Sequence, residues 1–277
     1  MSYKEISKSV VLFQNNWGSN SICIALDNEL IFIDTGLNTT NAADFRKAME
    51  EKFNRKTSTL ILTHGHIDHF LAMDAFSDIQ LIAPDLAKVN IERFVKAEFT
   101  EQIIENMSKV FLGFKESIGE AKLFMPNIWM KDKMTFGKNQ EVVYKVVGGH
   151  SACSSSIHFV PENIIISGDL IQVDVYPYFG EPDTDMEKWV SALKLWEEMK
   201  VNIILPGHGK EVDAKYLGEV RKYFEDLLNT LKELKNEAIS EAEIAMHPKL
   251  PKGYWPDSAI KKPWFDYCIV NLYKNLK

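Results

Sequence analysis

Four side chains able to bind a metal ion stand within six residues of this sequence. They are His64, His66, Asp68 and His69, in the segment Thr63-His-Gly-His-Ile-Asp-His69. Imidazole and carboxylate groups bind zinc, and they also suit iron and manganese. A single histidine here would more often be a packed or surface residue, but three imidazoles beside a carboxylate have no good structural explanation. The segment therefore predicts a metal site.

Three further candidate ligands share one local pattern, an apolar run followed by glycine and then the polar residue. They are His150 in Val147-Gly-Gly-His-Ser, Asp169 in Ile166-Ser-Gly-Asp-Leu and His208 in Leu205-Pro-Gly-His-Gly. Taken singly, each is more often a turn than a ligand. We expect each to lie just beyond the carboxyl end of a strand, the edge where ligands gather in α/β folds.

Short apolar runs between turn residues predict the strands that position these groups. We predict strands at 10–13, 21–26, 30–33, 59–63, 142–147, 157–160, 164–166 and 203–205 and helices at 41–53 and 186–199. Residues 84–119 have apolar side chains at three- and four-residue intervals, which predicts a helical insert. This insert either forms a lid or simply covers the sheet.

From Lys215 onward, a helix carries an apolar seam at alternating three- and four-residue steps. The seam residues are Leu217, Val220, Phe224, Leu227, Leu231 and Leu234. The seam is shorter than the ~3–4 heptads that a coiled coil needs, so packing on the domain is favoured and a homodimer contact is the alternative. The aromatic-rich end of the chain predicts a last helix.

Composition limits the kind of partner this chain can have. It has 277 residues, 45% of them hydrophobic, and a net charge of −7, which disfavours a nucleic-acid partner. Neither an apolar leader nor a membrane-spanning stretch is evident, so we expect a soluble, cytoplasmic protein without a membrane partner. The three cysteines lack metal-site spacing and are expected to be small buried residues.

The order His-x-His-x-Asp-His, then His, Asp and His, resembles the metallo-β-lactamase superfamily. The resemblance implies an α+β fold, an αββα sandwich over residues 1–212 that contains the 84–119 insert, with a carboxy-terminal helical extension over residues 213–277. It also implies a dinuclear ligand set like that of glyoxalase II and the lactonases. One metal would be held by His64, His66 and His150, the other by Asp68, His69 and His208, with Asp169 bridging them.

The family's Asp-Thr-Gly motif matches Asp34-Thr35-Gly36, which implies that Asp34 supports the ligand loops; a plain turn residue is the alternative. Two divalent ions sharing a water would lower its pKa and supply a bridging hydroxide as nucleophile. Asp68 is the candidate proton shuttle. The all-N/O ligand set favours zinc, with iron or manganese as alternatives.

Differences between this sequence and the patterns of known subfamilies limit the reactions that we expect of it. The true β-lactamases of the superfamily lack a bridging aspartate, glyoxalase II-like members have a Gly- and Arg-rich segment after it, and lactonases have Tyr where this chain has Gln172. The resemblance therefore implies hydrolysis of an ester, lactone, thioester or amide bond in a small molecule, with weak β-lactamase activity at most. A mononuclear-iron oxygenase resembling persulfide dioxygenases and a non-catalytic metal-binding module are the alternatives.

Aromatic residues near the predicted ligands are candidates for a substrate pocket. They are Trp17, Tyr176, Tyr178 and Phe179. Ordinary core or loop packing is an equally good interpretation of these four side chains. His158, inside a predicted strand, is expected to have a structural role.

Overall fold

The protein is described here by a computed structural model of residues 2–14, 17–173, 175–251, 253 and 262–276. The chain divides into two compact units, Met1–Val146 and Val147–Lys277. Both units contain helices and strands, in agreement with the predicted α+β class. The predicted division into residues 1–212 and 213–277 stays a prediction.

The amino-terminal unit is built on a seven-stranded sheet whose strands follow one another in sequence order. They are β1 (Lys4–Glu5), β2 (Val10–Phe13), β3 (Ser21–Ala25), β4 (Glu29–Ile33), β5 (Lys56–Ile61), β6 (Gln80–Pro84) and β7 (Ile128–Met130). β1 to β4 pair antiparallel, and β4 to β7 pair parallel. Because β4 and β5 are parallel, the residues following them meet at one sheet edge.

The helices of this unit are α1 (Thr39–Phe53), α2 (Ile67–Phe70), α3 (Lys88–Val95), α4 (Glu101–Val110) and α5 (Phe114–Ile118), and β8 (Lys133–Phe136) pairs antiparallel with β9 (Val142–Val146). The predicted helical insert is thus three short helices. Asn38 caps the amino-terminal end of α1, and its side chain accepts a hydrogen bond from the Asn41 backbone N–H. Phe45 of α1 packs against Phe13 and Phe32, which holds this helix on the sheet.

Within its described residues, the carboxy-terminal unit contains three strands and four α-helices. They are β10 (Ser155–Phe159), β11 (Ile164–Gln172), β12 (Ile203–His208), α6 (Met186–Glu198), α7 (Ala214–Asn236), α8 (Glu241–Ile244) and α9 (Lys262–Asn275). β11 pairs antiparallel with β10 and parallel with β12. α9 is the predicted last helix.

β11 is longer than the apolar run at 164–166 indicated. The expectation that Asp169 and His208 lie beyond their strands is wrong, because β11 continues to Gln172 and His208 is the last residue of β12. The pairing with β12 shifts register on both sides of Gly168, whose φ of +50° is in the left-handed region. This irregularity lets the strand continue past glycine.

The apolar seam of α7 packs inside the carboxy-terminal unit. Its six side chains are at most 2% exposed and belong to one core cluster with residues of α6 and α9. Trp189 of α6 lies 4.7 Å from Phe224 between ring centroids. The favoured interpretation, packing on the domain, is therefore confirmed, whereas homodimer formation stays untested.

Replacing a buried side chain of the seam by a smaller one should destabilise the protein. Leu227 is fully buried, so Leu227→Ala is expected to lower the free energy of unfolding by ~2–5 kcal/mol through lost burial and a residual cavity. Asn229→Ala, on the exposed side of the same helix, should change it by no more than ~0.5 kcal/mol. Urea denaturation of the two variants measures the difference. Equal effects would mean that the seam is not the buried face.

The cysteines are all free and buried, as predicted. Burial raises the pKa of the Cys23 thiol well above its usual value and that of Cys268 to about 12, so both thiols stay protonated near neutral pH. Within the described ranges, every helix is too short or too polar to cross a lipid bilayer.

Candidate metal centre

The amino-terminal ligand group consists of His64, His66, Asp68 and His69. It lies directly after β5, with Asp68 and His69 in the short helix α2. The His64 ring centroid is 4.6 Å from that of His66 and 4.1 Å from that of His69. The Asp68 carboxylate approaches His69 Nε2 to 3.9 Å. All but His66 are buried, so the sequence cluster is also a spatial cluster.

Asp34 holds this group from the end of the neighbouring strand β4. Its carboxylate accepts hydrogen bonds from Thr63 N (2.8 Å), Thr63 Oγ1 (2.7 Å) and His69 Nδ1 (2.8 Å). Its φ of +54° is unusual for a residue other than glycine, and aspartate is among the few that tolerate it. Ser21 Oγ donates to its carbonyl at 2.7 Å. Asp34 is thus fixed on both its backbone and side-chain sides.

Hydrogen bonding determines which ring nitrogen of each histidine carries the proton. Asp34 only accepts, so His69 must donate from Nδ1. Thr63 Oγ1 uses its hydrogen on Asp34, so it accepts from His64 Nδ1 at 3.0 Å. In both rings the Nε2 atom then carries the lone pair. A neutral imidazole in this state is a metal ligand.

Thr35 fixes the backbone of the same segment. Its backbone N–H donates to the carbonyl of His69 at 2.9 Å, and its hydroxyl approaches the same oxygen at 3.2 Å. The motif Asp34-Thr35 therefore holds His69 by its ring and by its main chain.

The carboxy-terminal ligand group consists of His150, Asp169 and His208. His150 donates from Nδ1 to the Tyr178 carbonyl at 2.7 Å, which again leaves the lone pair on Nε2. Asp169 Oδ2 lies 3.7 Å from His150 Nε2, and Oδ1 lies 3.3 Å from His208 Nε2. Two ligands on one tetrahedral zinc with bonds of ~2.0–2.1 Å lie about 3.3 Å apart. These spacings suit shared metal ligands.

Two glycines allow the close packing of this group. A Cβ at Gly207 would lie 2.1 Å from Asp169 Oδ1, so β12 can pass the carboxylate only with glycine there. Gly149, with φ of +108°, would place a Cβ 3.0 Å from the Trp189 backbone. Glycine before His150 and before His208 is thus a requirement of the local geometry.

The predicted pocket residues have different surroundings. Trp17 packs on Gly113, where a Cβ would lie 2.2 Å from its ring, so it contacts the helical insert. Tyr178 is half-buried beside His150, with ring centroids 6.3 Å apart, and burial raises its hydroxyl pKa. Tyr176 hydrogen bonds to the Tyr223 hydroxyl. Phe179 is fully buried in the core, which favours the alternative of core packing for this residue.

Other polar residues near the ligands were not singled out as site residues from the sequence. Gln172 donates to Asp169 Oδ2 at 2.7 Å, and the Tyr178 carbonyl supports His150. Thr63 links Asp34 to His64. His158 lies outside both ligand groups and contacts Asn163 at 3.0 Å, with burial lowering its pKa, in line with a structural role.

Comparison with known proteins identifies the family. Residues 15–208 match the metallo-beta-lactamase superfamily, and the chain belongs to it. Two curated relatives, each named metallo-beta-lactamase type 2, come from Bacillus sp. (strain 170) and Bacillus cereus. They are 21% and 20% identical over 202 residues, which is 72% of this chain and 70% of each relative.

Solved structures give the same fold. A metallo-beta-lactamase from Pontibacter korlensis has a TM-score of 0.60 and 16% identity, covering 81% of this chain and 99% of that one. One from Hirschia baltica has the same score and identity, covering 80% and 96%. The predicted fold, α+β of the metallo-β-lactamase type, is confirmed.

The donors of both groups fit a divalent metal. Each group combines imidazole nitrogen with carboxylate oxygen. Donor atoms of His64 and His66 lie within 4.8 Å of each other, and the same holds for Asp68 and His69 and for His150 and Asp169. The hydrogen bonds at Nδ1 of His64, His69 and His150 leave Nε2 as the atom that can bind a metal. The residues thus form candidate metal-binding groups with the chemistry that zinc, iron or manganese requires.

Asp34→Asn tests the support behind His69. The asparagine tolerates the same backbone angle, but only one of its two terminal atoms can accept. When its oxygen keeps the hydrogen bond from Thr63 N, its amide nitrogen faces His69 Nδ1 and cannot accept from it. His69 would then favour a proton on Nε2, the atom that should bind metal. Zinc affinity measured by chelator competition should fall ~10–100-fold. Asp74→Asn is the control, and equal affinities in all three proteins would contradict the assigned role.

Proposed function

We propose that this protein is a hydrolase that depends on two divalent metal ions and cleaves an ester, lactone, thioester or amide bond of a small molecule. The observation that carries the proposal is the orientation of the histidines. In both ligand groups, histidine rings donate a hydrogen bond from Nδ1 to an oxygen atom. Their Nε2 atoms therefore keep the lone pair that can bind a metal. Membership of the metallo-β-lactamase superfamily supports the same conclusion.

The proposed assignment of ligands follows the family resemblance. His64, His66 and His150 would hold one ion, and Asp68, His69 and His208 the other. Asp169 would bridge them, for which its two oxygens are suitably placed, one facing His208 and the other His150. Zinc is the proposed metal because every donor is nitrogen or oxygen, a set that iron and manganese also accept.

When bound, two such ions would lower the pKa of water towards neutrality and polarise the carbonyl under attack. The protein's own residues hold the ligands and move the proton. Asp68 is buried, and its carboxylate lies 3.9 Å from His69 Nε2, so we assign it the transfer of the proton released by water. Asp34 keeps the His69 ring in the orientation that this requires.

A small substrate fits the proposed surroundings of the site. Tyr178 offers a half-buried aromatic face beside His150, and we propose that it contacts the substrate. Trp17 and Tyr176 stay candidates for the same role. β-Lactams are amides and fall within the proposed bond types, but the presence of Asp169 leads us to expect only weak turnover of them.

The test is a substrate panel given to zinc-loaded protein. Aryl esters, lactones, thioesters, phosphodiesters and β-lactams are compared, with metal content measured in each sample. We expect hydrolysis of at least one carbonyl substrate that chelation abolishes and zinc restores. His158→Ala, a change outside both ligand groups, should retain this activity. Hydrolysis of phosphodiesters alone, or no zinc-dependent hydrolysis in the panel, would contradict the proposed reaction.

A further inference from the structure

Gln172 occupies a buried position between two proposed metal ligands. Its side chain is 6% exposed, and Nε2 donates to Asp169 Oδ2 at 2.7 Å. Its Oε1 accepts a longer hydrogen bond, 3.4 Å, from the Tyr178 backbone N–H. A carboxylate can only accept and a backbone N–H can only donate, so only one orientation of the amide serves both partners.

The main chain of Tyr178 connects this hydrogen-bond network to a second proposed ligand. Its carbonyl accepts the hydrogen bond from His150 Nδ1 at 2.7 Å. Asp169 on β11 and His150 before β10 are therefore connected through one amide side chain and one residue of main chain. His150 Nε2 and Asp169 Oδ2, 3.7 Å apart, are the ends that the network holds towards each other.

We propose that Gln172 is a positioning residue that sets the orientation of the Asp169 carboxylate for metal binding, an inference that rests on the proposed metal site. A hydrogen bond to an ionised carboxylate is among the stronger ones, and it acts here on Oδ2 alone. Holding Oδ2 on the side of His150 directs Oδ1 towards His208, 3.3 Å away. Without the amide, the hydrogen bond that fixes Oδ2 is lost, so a larger share of the ordering of the carboxylate falls to the metal.

Gln172→Met removes the amide while keeping a side chain of similar length and an apolar character suited to a buried position. Tyr216→Phe is the matched control. The Tyr216 hydroxyl donates to the Gln172 carbonyl at 3.0 Å, so its loss disturbs the same residue's main chain and leaves the amide in place. Comparing the two variants separates the side chain's role from that of the strand.

Three measurements distinguish positioning from a purely structural role. Zinc affinity is measured by chelator competition, the ligand field by the visible spectrum of the Co²⁺-loaded protein, and folding by the Tm with and without zinc. We expect Gln172→Met to lose ~10–100-fold in zinc affinity, to alter the Co²⁺ spectrum and to gain less Tm from zinc. Tyr216→Phe should match the parent protein in all three.

Two results would overturn the assignment of Gln172 alone: a parent-like zinc affinity and Co²⁺ spectrum in Gln172→Met, or an equal loss in Tyr216→Phe. If Gln172→Met does not fold, Gln172→Asn, whose shorter amide cannot reach Asp169, should show the same loss. Failure of both variants to fold would overturn the proposal as well, because Gln172 would then serve the fold. A parent protein that takes up neither Co²⁺ nor zinc would instead contradict the metal site itself.

Discussion

Replacing Asp169 by alanine is expected to weaken the binding of both metal ions at once. Asp169 Oδ1 lies 3.3 Å from His208 Nε2 and Oδ2 lies 3.7 Å from His150 Nε2, so each oxygen faces a different histidine. The carboxylate is the only proposed ligand shared by the two ions. We expect zinc content well below that of the parent after dialysis, and a loss of turnover of order 10²-fold or more.

Asp226→Ala is the control for this prediction. Asp226 lies on α7, pairs with Lys222 and has a half-exposed side chain, so its loss removes an equal charge away from the ligands. Metal content and activity should stay at parent levels. If Asp169→Ala retains its zinc while Asp226→Ala does so too, Asp169 is not a ligand and the bridging assignment fails.

The second large effect is expected at His69. In the dinuclear hydrolase, His69→Ala should empty or loosen the second metal position, leaving one ion to activate water and stabilise the developing charge. A loss of order 10²-fold or more is expected, comparable to removing one electrostatic stabiliser from other enzymes. Steady-state hydrolysis by zinc-supplied protein measures it, alongside elemental analysis of the same samples.

The same variant separates the hydrolase from a mononuclear-iron oxygenase. A single iron held by His64, His66 or His150 together with Asp169 does not need His69, so an oxygenase should retain its activity in His69→Ala. Oxygen consumption by iron-loaded protein given a persulfide is measured beside hydrolysis, with His158→Ala as the control. Persulfide-dependent oxygen uptake that survives His69→Ala would overturn the hydrolase proposal.

The candidate ligand groups could be predicted because their residues are marked by close spacing or by short motifs in the sequence. The four donors of the amino-terminal group stand within six positions of the sequence, and glycine precedes His150, Asp169 and His208. Close packing in the structure explains two of these glycines, Gly149 and Gly207. Apolar runs at 164–166 and 203–205 also mark the strands that carry Asp169 and His208. The parallel pairing of β4 with β5 then brings Asp34 to His69, a contact that a matching Asp-Thr-Gly motif could indicate.

Long-range support for the ligands could not be predicted in the same way. The partner of His150 is the main-chain carbonyl of Tyr178, a group that every residue possesses and that has no sequence signature. The contact of Gln172 with Asp169 can be inferred only when β11 is known to continue past Gly168. The apolar run in the sequence predicts a strand that ends at residue 166, before both residues. Phe179 was a candidate pocket residue because it is aromatic and follows Asp169 in the sequence, but it is fully buried in the core.

Strands β6, β7 and β8 were also absent from the sequence-based prediction. β6 ends at Pro84, the residue from which the helical insert was expected to begin, and β7 and β8 span only Ile128–Met130 and Lys133–Phe136. Such short segments owe their conformation to pairing with neighbouring strands more than to local propensity. Their place in a sheet is set by contacts distant in sequence.

Metal stoichiometry is the most direct test of the central claim. Elemental analysis of protein expressed with added zinc and dialysed free of loosely bound ions should give about two metal ions per chain, because seven nitrogen and oxygen ligands are proposed to form two sites. The content should fall to about one in His69→Ala. A value at or below one in the parent protein, unchanged when Asp68, His69 or His208 is replaced, would contradict a dinuclear site.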